Sequence, residues 1–381
     1  MAKPEIRLKG FKGEWENKLL GNLCSVNRGV RVTRKELNNQ GDYPVFQNTD
    51  YPMGFYNQYN VAGNNPFVII GGSAGLIGFS KKEFWAADDC VYFGDNAELD
   101  KAYLFNILLK HSSTIKKNVR GSSVPRLDRK VLVGLSISIP SIDEQQGIAD
   151  YFKSLDSMIQ GVTKKIASLK QMKQACLVSM FPQAGETKPR VRFKGFKGEW
   201  GKNKAGNLFM TFNERNRPDL PVLSANQDIR GMAPRTDTGY NISHNKANEV
   251  TYKVVKPGQY VIHLRSFQGG FAHSSVEGIT SPAYTVFGFK DAERHDDYFW
   301  KIIFMSKEFI KSLETITYGI RDGRSISFSE FAEMNFYFPS KEEQQQIASF
   351  FTSLDKQISL QEARLEKLKQ IKAACLDKMF V

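Results

Sequence analysis

The sequence lacks any apolar run long enough to cross a bilayer, and its opening, MAKPEIRLKG, has no apolar core of a signal peptide. A soluble, cytoplasmic protein is expected. Cysteine is scarce. The four residues, at 24, 90, 176 and 375, lie too far apart in sequence for a CxxC metal clip or thiol pair, and read as reduced and structural. The five histidines, at 111, 244, 263, 273 and 295, form no metal-ligand spacing. Acidic residues are outnumbered 40 to 53, giving a net charge of +13 and a pI of about 9.4. Such a balance favours a polyanionic partner, most often nucleic acid.

Catalytic signatures are missing as well. Asn64-Asn65-Pro66-Phe67 brushes against the Asn-Pro-Pro-aromatic motif of amino-methyltransferases, but it lacks the second proline, and no FxGxG-like loop accompanies it. GGSAGLIG (71–78) is glycine-rich yet lacks the Lys-Ser/Thr ending of a phosphate-binding loop. It reads as a tight turn between strands, close to a DNA backbone. Pro218-Asp219 has no Glu-x-Lys at nuclease spacing. No catalytic residue, bound cofactor or metal is therefore expected on this chain.

What is present is an internal repeat. KPEIRLKGFKGEW (3–15) and KPRVRFKGFKGEW (188–200) match at ten of thirteen positions. Residues 139–181 and 338–380 match at 21 of 43, each carrying P-S-x-x-E-Q-Q-x-I-A. The blocks between, roughly 16–138 and 201–337, share almost nothing by eye. Hydrophobic content of 41% and aromatic content of 12% suffice for two domains of ordinary size.

The long repeated segments carry a heptad. Its apolar positions are Ile148, Phe152, Leu155, Ile159, Val162, Ile166 and Leu169, then Ile347, Phe351, Leu354, Ile358, Leu365 and Leu368. Gln361 and the seam residues Lys173 and Lys372 are expected to weaken the seam. Each helix is expected to begin after Pro140 or Pro339, with Ser141 or Ser340 as N-cap and Glu144 or Glu343 at the third helical position. About forty residues would make a rod of roughly 60 Å, and the partner for each rod is the other one.

Both variable blocks read as mixed α/β. Strands are predicted over 67–70, 91–93, 252–255, 260–264 and 284–289. Single helices are predicted over 102–117 and 297–315, and short strands at 135–140 and 335–339 lead into the prolines. Residues 110–130 hold seven cations and one acid around Gly121-Ser122-Ser123, a composition that suits phosphate contact. Candidate DNA-contacting residues in the first block are Gln47, Asn48, Ser73, Lys116, Lys117, Arg120, Ser122 and Arg126. In the second they are Asn226, Arg230, Arg265, Gln268, Arg321 and Arg324. Arg to guanine and Asn or Gln to adenine are the pairings that read base edges. His263 and His273 flank RSFQGGF and suit core or DNA-facing positions.

The duplicated P-S-x-x-E-Q-Q-x-I-A with its heptad helix, VVKPGQYVIHLRSFQGGF and GITSPAYTVF in the second block, and GGSAGLIGF in the first together resemble the specificity subunit of Type I restriction–modification enzymes. The resemblance covers essentially the whole chain. It implies an α/β (α+β) fold with two target recognition domains, 1–140 and 188–339. Two long antiparallel coiled-coil helices, in 141–187 and 340–381, separate them. It further implies a non-catalytic chain that binds a bipartite, asymmetric site on double-stranded DNA. Two modification (methyltransferase) subunits would bring S-adenosylmethionine and methylate adenine. Restriction (endonuclease/translocase) subunits would use ATP and Mg. A self-sufficient DNA adenine methyltransferase and a coiled-coil protein-interaction scaffold are the alternatives.

Overall fold

The computed structural model of the chain describes residues 3–38, 40–183, 185–226, 231–237, 246–264, 266–313 and 326–381. They form two compact units, residues 1–166 with 361–381, and residues 167–360. Among the described residues, no helix is long and apolar enough to cross a membrane.

The first unit is built on an antiparallel sheet of Val26–Arg28, Cys90–Phe93, Asn65–Ile69 and Ile77–Ser80, in that order. Asn65–Ile69 is buried along its whole length, so it reads as an apolar run without alternation. A smaller sheet pairs Tyr43–Phe46 with Gly54–Tyr56 and Trp85–Ala86. The region expected to be one helix over 102–117 is two, Lys101–Lys110 and Ser112–Lys117, with Asp100 capping the first through its bond from the Tyr103 amide.

The second unit repeats the central sheet. Phe209–Phe212, Thr285–Phe289, Tyr260–Ile262 and Ala272–His273 follow the same antiparallel order, extended by Gly231–Pro234 and Leu223–Asn226. The expected helix over 297–315 is likewise broken, into Asp297–Phe304 and Lys307–Leu313; residues 314–315 lie outside those described. Ser306 makes the break, because its hydroxyl accepts from the Phe309 amide and restarts the helix. The two blocks therefore share a topology that their sequences hide.

The long helices run over Ile142–Ser179 and Lys341–Lys378, and each contributes to both units. In the first unit they lie antiparallel. Tyr151 Oη is 3.4 Å from Cys375 Sγ, Asp156 pairs with Lys372 at 2.5 Å, and Phe152 stacks on Phe380. In the second unit Lys173 pairs with Asp355 and Phe181 packs on Phe351, again antiparallel. Ile148, Phe152, Leu155, Val162, Ile166, Ile347, Phe351, Leu354 and Ile358 are buried; Ile159, Leu169, Leu365 and Leu368 are half-buried. The seam lysines, expected to weaken the coil, instead each reach an aspartate on the facing helix.

The repeated motifs meet each other. Arg7 donates from Nε and Nη2 to the two carboxylate oxygens of Glu144, both at 2.7 Å, and from Nη1 to the Gly13 carbonyl. Arg192, Glu343 and Gly198 repeat the arrangement, also with two 2.7 Å bonds. The adjoining Gln145, fully buried, donates to the Pro140 and Glu98 carbonyls and accepts from the Asp100 amide. Gln344 does the same for Pro339 and Asp296. Glu144 and Glu343 are thus tied to an arginine far away in sequence rather than serving as capping-box partners of Ser141 and Ser340. The turn that offers the Gly13 carbonyl has left-handed φ at Gly10 and Gly13, with open space around both. Glycine is required there by backbone angle alone.

Each lock closes over a core. In the first unit Trp15 packs edge-on to Tyr103, which meets Phe380 at the end of the second long helix. In the second, Trp200 packs edge-on to Phe299, which stacks on Phe181 at the end of the first.

Candidate nucleic-acid interface

Residues 110–130 do not act as one basic face. Lys110 is used structurally, donating to the carbonyl and carboxylate of Asp377, each at 2.8 Å. Arg129 donates to the Val26 carbonyl. Between the helix Ser112–Lys117 and Arg129, residues 118–128 form a loop. Arg120 and Arg126 face each other across a two-residue antiparallel bridge, closed by backbone bonds of 2.8 and 2.7 Å. Gly121 to Val124, at the loop's tip, are exposed.

Opposing arginines on one ladder repel one another. Arg126 has a counter-charge, since its Nη1 donates to Asp89 Oδ1 at 3.0 Å. Among the described residues, the Arg120 side chain has only a 3.5 Å contact to the Lys117 carbonyl. Lys116 and Lys117 are exposed at the end of the neighbouring helix. The loop is therefore a concentration of cations under-supplied with protein anions.

The glycine-rich turn lies against it. The Gly72 amide donates to the Pro125 carbonyl and the Ser73 amide to the Asn48 carbonyl, both at 3.1 Å. A Cβ at Gly72, whose φ is +81°, would stand 2.9 Å from Asn48 Cβ, so a side chain there would push the two loops apart. Lys116 Cγ would lie 3.2 Å from a Cβ on Gly75. Gln47, half-buried, donates from Nε2 to Asp88 Oδ1 at 3.2 Å, while Arg28 Nε holds the Asp88 carbonyl. The structure thus brings Gln47, Asn48, Ser73, Lys116, Arg120 and Arg126 to one side of the first unit; Lys117 and Ser122 are exposed close by in sequence. Asp88 and Asp89 were not singled out from sequence. Their only signal was an acidic pair directly before a buried strand.

In the second unit, Arg230, Arg265, Arg321 and Arg324 lie outside the described residues. Asn226 is half-buried at the end of Leu223–Asn226, and Gln268 is exposed on the one-turn helix Ser266–Gly269. That helix is pinned by the buried Ser266, whose hydroxyl accepts from the His263 amide. Gly270 then turns with φ +79°, its Cα so near the Phe304 carbonyl that a Cβ would sit 1.9 Å from the oxygen. His273 is a core residue; its Nε2 is 2.7 Å from Asp297 Oδ2. Burial pushes the Asp297 carboxyl up, but the hydrogen bond and charge of His273 outweigh this and hold it below the ordinary value. Among the described residues, no group of three or more His, Cys, Asp or Glu is placed to hold a metal.

The sequence profile of the Type I restriction modification DNA specificity domain matches twice, at residues 12–171 and 198–370. The chain belongs to this family, and its members are DNA-recognition rather than catalytic components. A Type I restriction enzyme MjaVIII specificity subunit from Methanocaldococcus jannaschii is 23% identical over 94% of this chain and 90% of its own length. A putative type I specificity subunit from Mycoplasma pneumoniae, S.MpnORF507P, is 28% identical over 41% of this chain. The chain spans only 44% of that relative's length. A type I restriction–modification S subunit of M. genitalium shares the fold over 100% of this chain and 99% of its own, with a TM-score of 0.67 and 15% identity. A chain from a structural study of type I assembly aligns over 97% of this chain and 98% of its own, with TM-score 0.52 and 14% identity.

Proposed function

We propose that this chain reads a bipartite, asymmetric site on double-stranded DNA and directs adenine methylation and restriction by partner subunits. The observation that carries the reading is the pair of opposed arginines, Arg120 and Arg126, beside the Gly71–Ser73 turn. Arg126 is answered by Asp89, but Arg120, held opposite it, calls for a further anion, and a DNA backbone supplies a row of them. Gln47, Asn48, Ser73, Lys116, Lys117 and Ser122 would complete the first contact surface. Asn226 and Gln268, with Arg230, Arg265, Arg321 and Arg324, would supply the second.

In this reading residues 1–140 and 188–339 are the readers, and the segments 141–187 and 340–381 set the distance between half-sites. The duplicated frame offers two equivalent docking places, which suits two modification subunits. Those subunits would carry S-adenosylmethionine, and restriction subunits would use ATP and Mg; this chain would bind none of them. The complex would act in the cytoplasm, where the chromosome is.

The test is the salt dependence of DNA affinity. Each phosphate contact contributes nearly one to the slope of log K against log salt. The double variant R120A/K116A is expected to shrink that slope by about two. An unchanged slope and affinity would remove the first contact surface from the proposal.

A further inference from the structure

Arg126 and Arg120 are a matched pair in backbone but not in surroundings. Arg126 is held at every level. Its amide and carbonyl are bonded to Arg120, Pro125 before it accepts from the Gly72 amide, and Leu127 after it donates to the Ile70 carbonyl at 2.9 Å. Its side chain, 58% exposed, is tethered through Nη1 to Asp89, whose side chain is only 18% exposed. Asp89 in turn is fixed by packing. Its carbonyl accepts from the Ile70 amide, and its carboxylate lies so close to Gly71 that a Cβ there would fall 2.4 Å from Oδ1.

This arrangement is a poor phosphate anchor and a good base reader. The carboxylate cancels most of the charge that would attract phosphate, and it would repel one arriving beside it. With Nη1 occupied, the Nε–Nη2 edge of the guanidinium is left as a two-donor fork of fixed direction. That edge matches the O6 and N7 acceptors of a guanine in the major groove. A charge-balanced, oriented fork is what sequence discrimination needs, and a cation without a counter-charge among the described residues, such as Arg120, is what backbone attraction needs.

We infer that Arg126 is a specificity-determining residue that reads one guanine of the half-site contacted by the first unit, and that Asp89, lodged in the space left by Gly71, is its positioning residue. The inference rests on the proposed DNA contact of this loop and assigns the two arginines different tasks within it.

The test selects bound duplexes from a randomised pool, using the full chain assembled with the modification subunits it is expressed with. R126A and D89A are expected to lower the preference for guanine at one position of one half-site about tenfold or more. Every other position should be unchanged. D89N keeps an acceptor at Oδ1 and is expected to retain most of that preference. G71A pushes the carboxylate aside while leaving both residues' identities unchanged, and should behave as D89A. R120A should lower affinity for all sequences alike, with a salt slope smaller by about one. Circular dichroism checks that each variant is folded, and D89A and D89N decide the matter if G71A is not. Uniform loss in R126A with base preferences intact would overturn the inference and leave the DNA contact standing. Guanine preference that survives in D89A would also overturn it. No effect from either R120A or R126A would overturn the DNA contact itself.

Discussion

Replacing Arg7 with methionine should be among the most damaging single changes in the first unit. Glu144 is 1% exposed at its side chain, and Arg7 supplies both donors to its carboxylate at 2.7 Å. Removing the arginine leaves that buried carboxylate without its two donors. Breaking a buried pair from one side costs about 3–5 kcal/mol. Removing both charges, in R7M/E144M, should restore stability to near that of the native chain, because the double variant strands no charge. The Arg192–Glu343 pair has the same distances and the same 1% exposure at its glutamate, so R192M and R192M/E343M should repeat the pattern. Urea unfolding followed by tryptophan fluorescence suits the measurement, since Trp15 ends the motif that carries Arg7 and Trp200 the motif that carries Arg192. A loss below about 1 kcal/mol in R7M, or a double variant as unstable as the single, would refute the reasoning that Arg7 compensates a buried Glu144 charge.

Three further outcomes follow from particular residues. Gly270→Ala meets both a positive φ and a carbonyl at 1.9 Å, and should destabilise the second unit by about 3 kcal/mol or more, read as a lower Tm. Gln361→Leu should raise Tm by a few degrees, because the Gln361 Oε1 is buried without a hydrogen-bond partner among the described residues. The third concerns pH. Asp297 has a folded-state pKa below its ordinary value, so its contribution is present above pH of about 4 and is lost as pH falls through the folded value. Asp297→Asn should flatten the acid limb of the stability profile below pH of about 4; an unchanged limb would show that the His273 contact contributes nothing.

The frame was legible in sequence because it is written twice. Its seam, its prolines and the strands that precede them could be placed by periodicity and punctuation alone. The partner of Glu144 could not, because Arg7 lies 137 positions away and Ser141 offered a local explanation. The shared sheet order of the two blocks was hidden for a different reason. Strands such as Asn65–Ile69 and Tyr260–Ile262 are buried on both faces, where many apolar residues serve equally, so descent leaves no pattern. At the candidate interface, composition drew attention to the cations of residues 110–130. Only geometry separates Lys110 and Arg129, which hold the fold, from Arg120 and Arg126, which stand out from it. Asp88 and Asp89 were invisible because an acid in a basic patch counts against the patch until its orientation is known.

The most direct test of the account is a long-read methylome. Cells would carry the modification partner with the native chain, or with a chain in which residues 201–337 are replaced by the corresponding block of another family member. The account predicts that one half of the methylated motif changes while the other half and the unread gap stay as they were. A change in both halves, or methylation of the same motif by both chains, would contradict it.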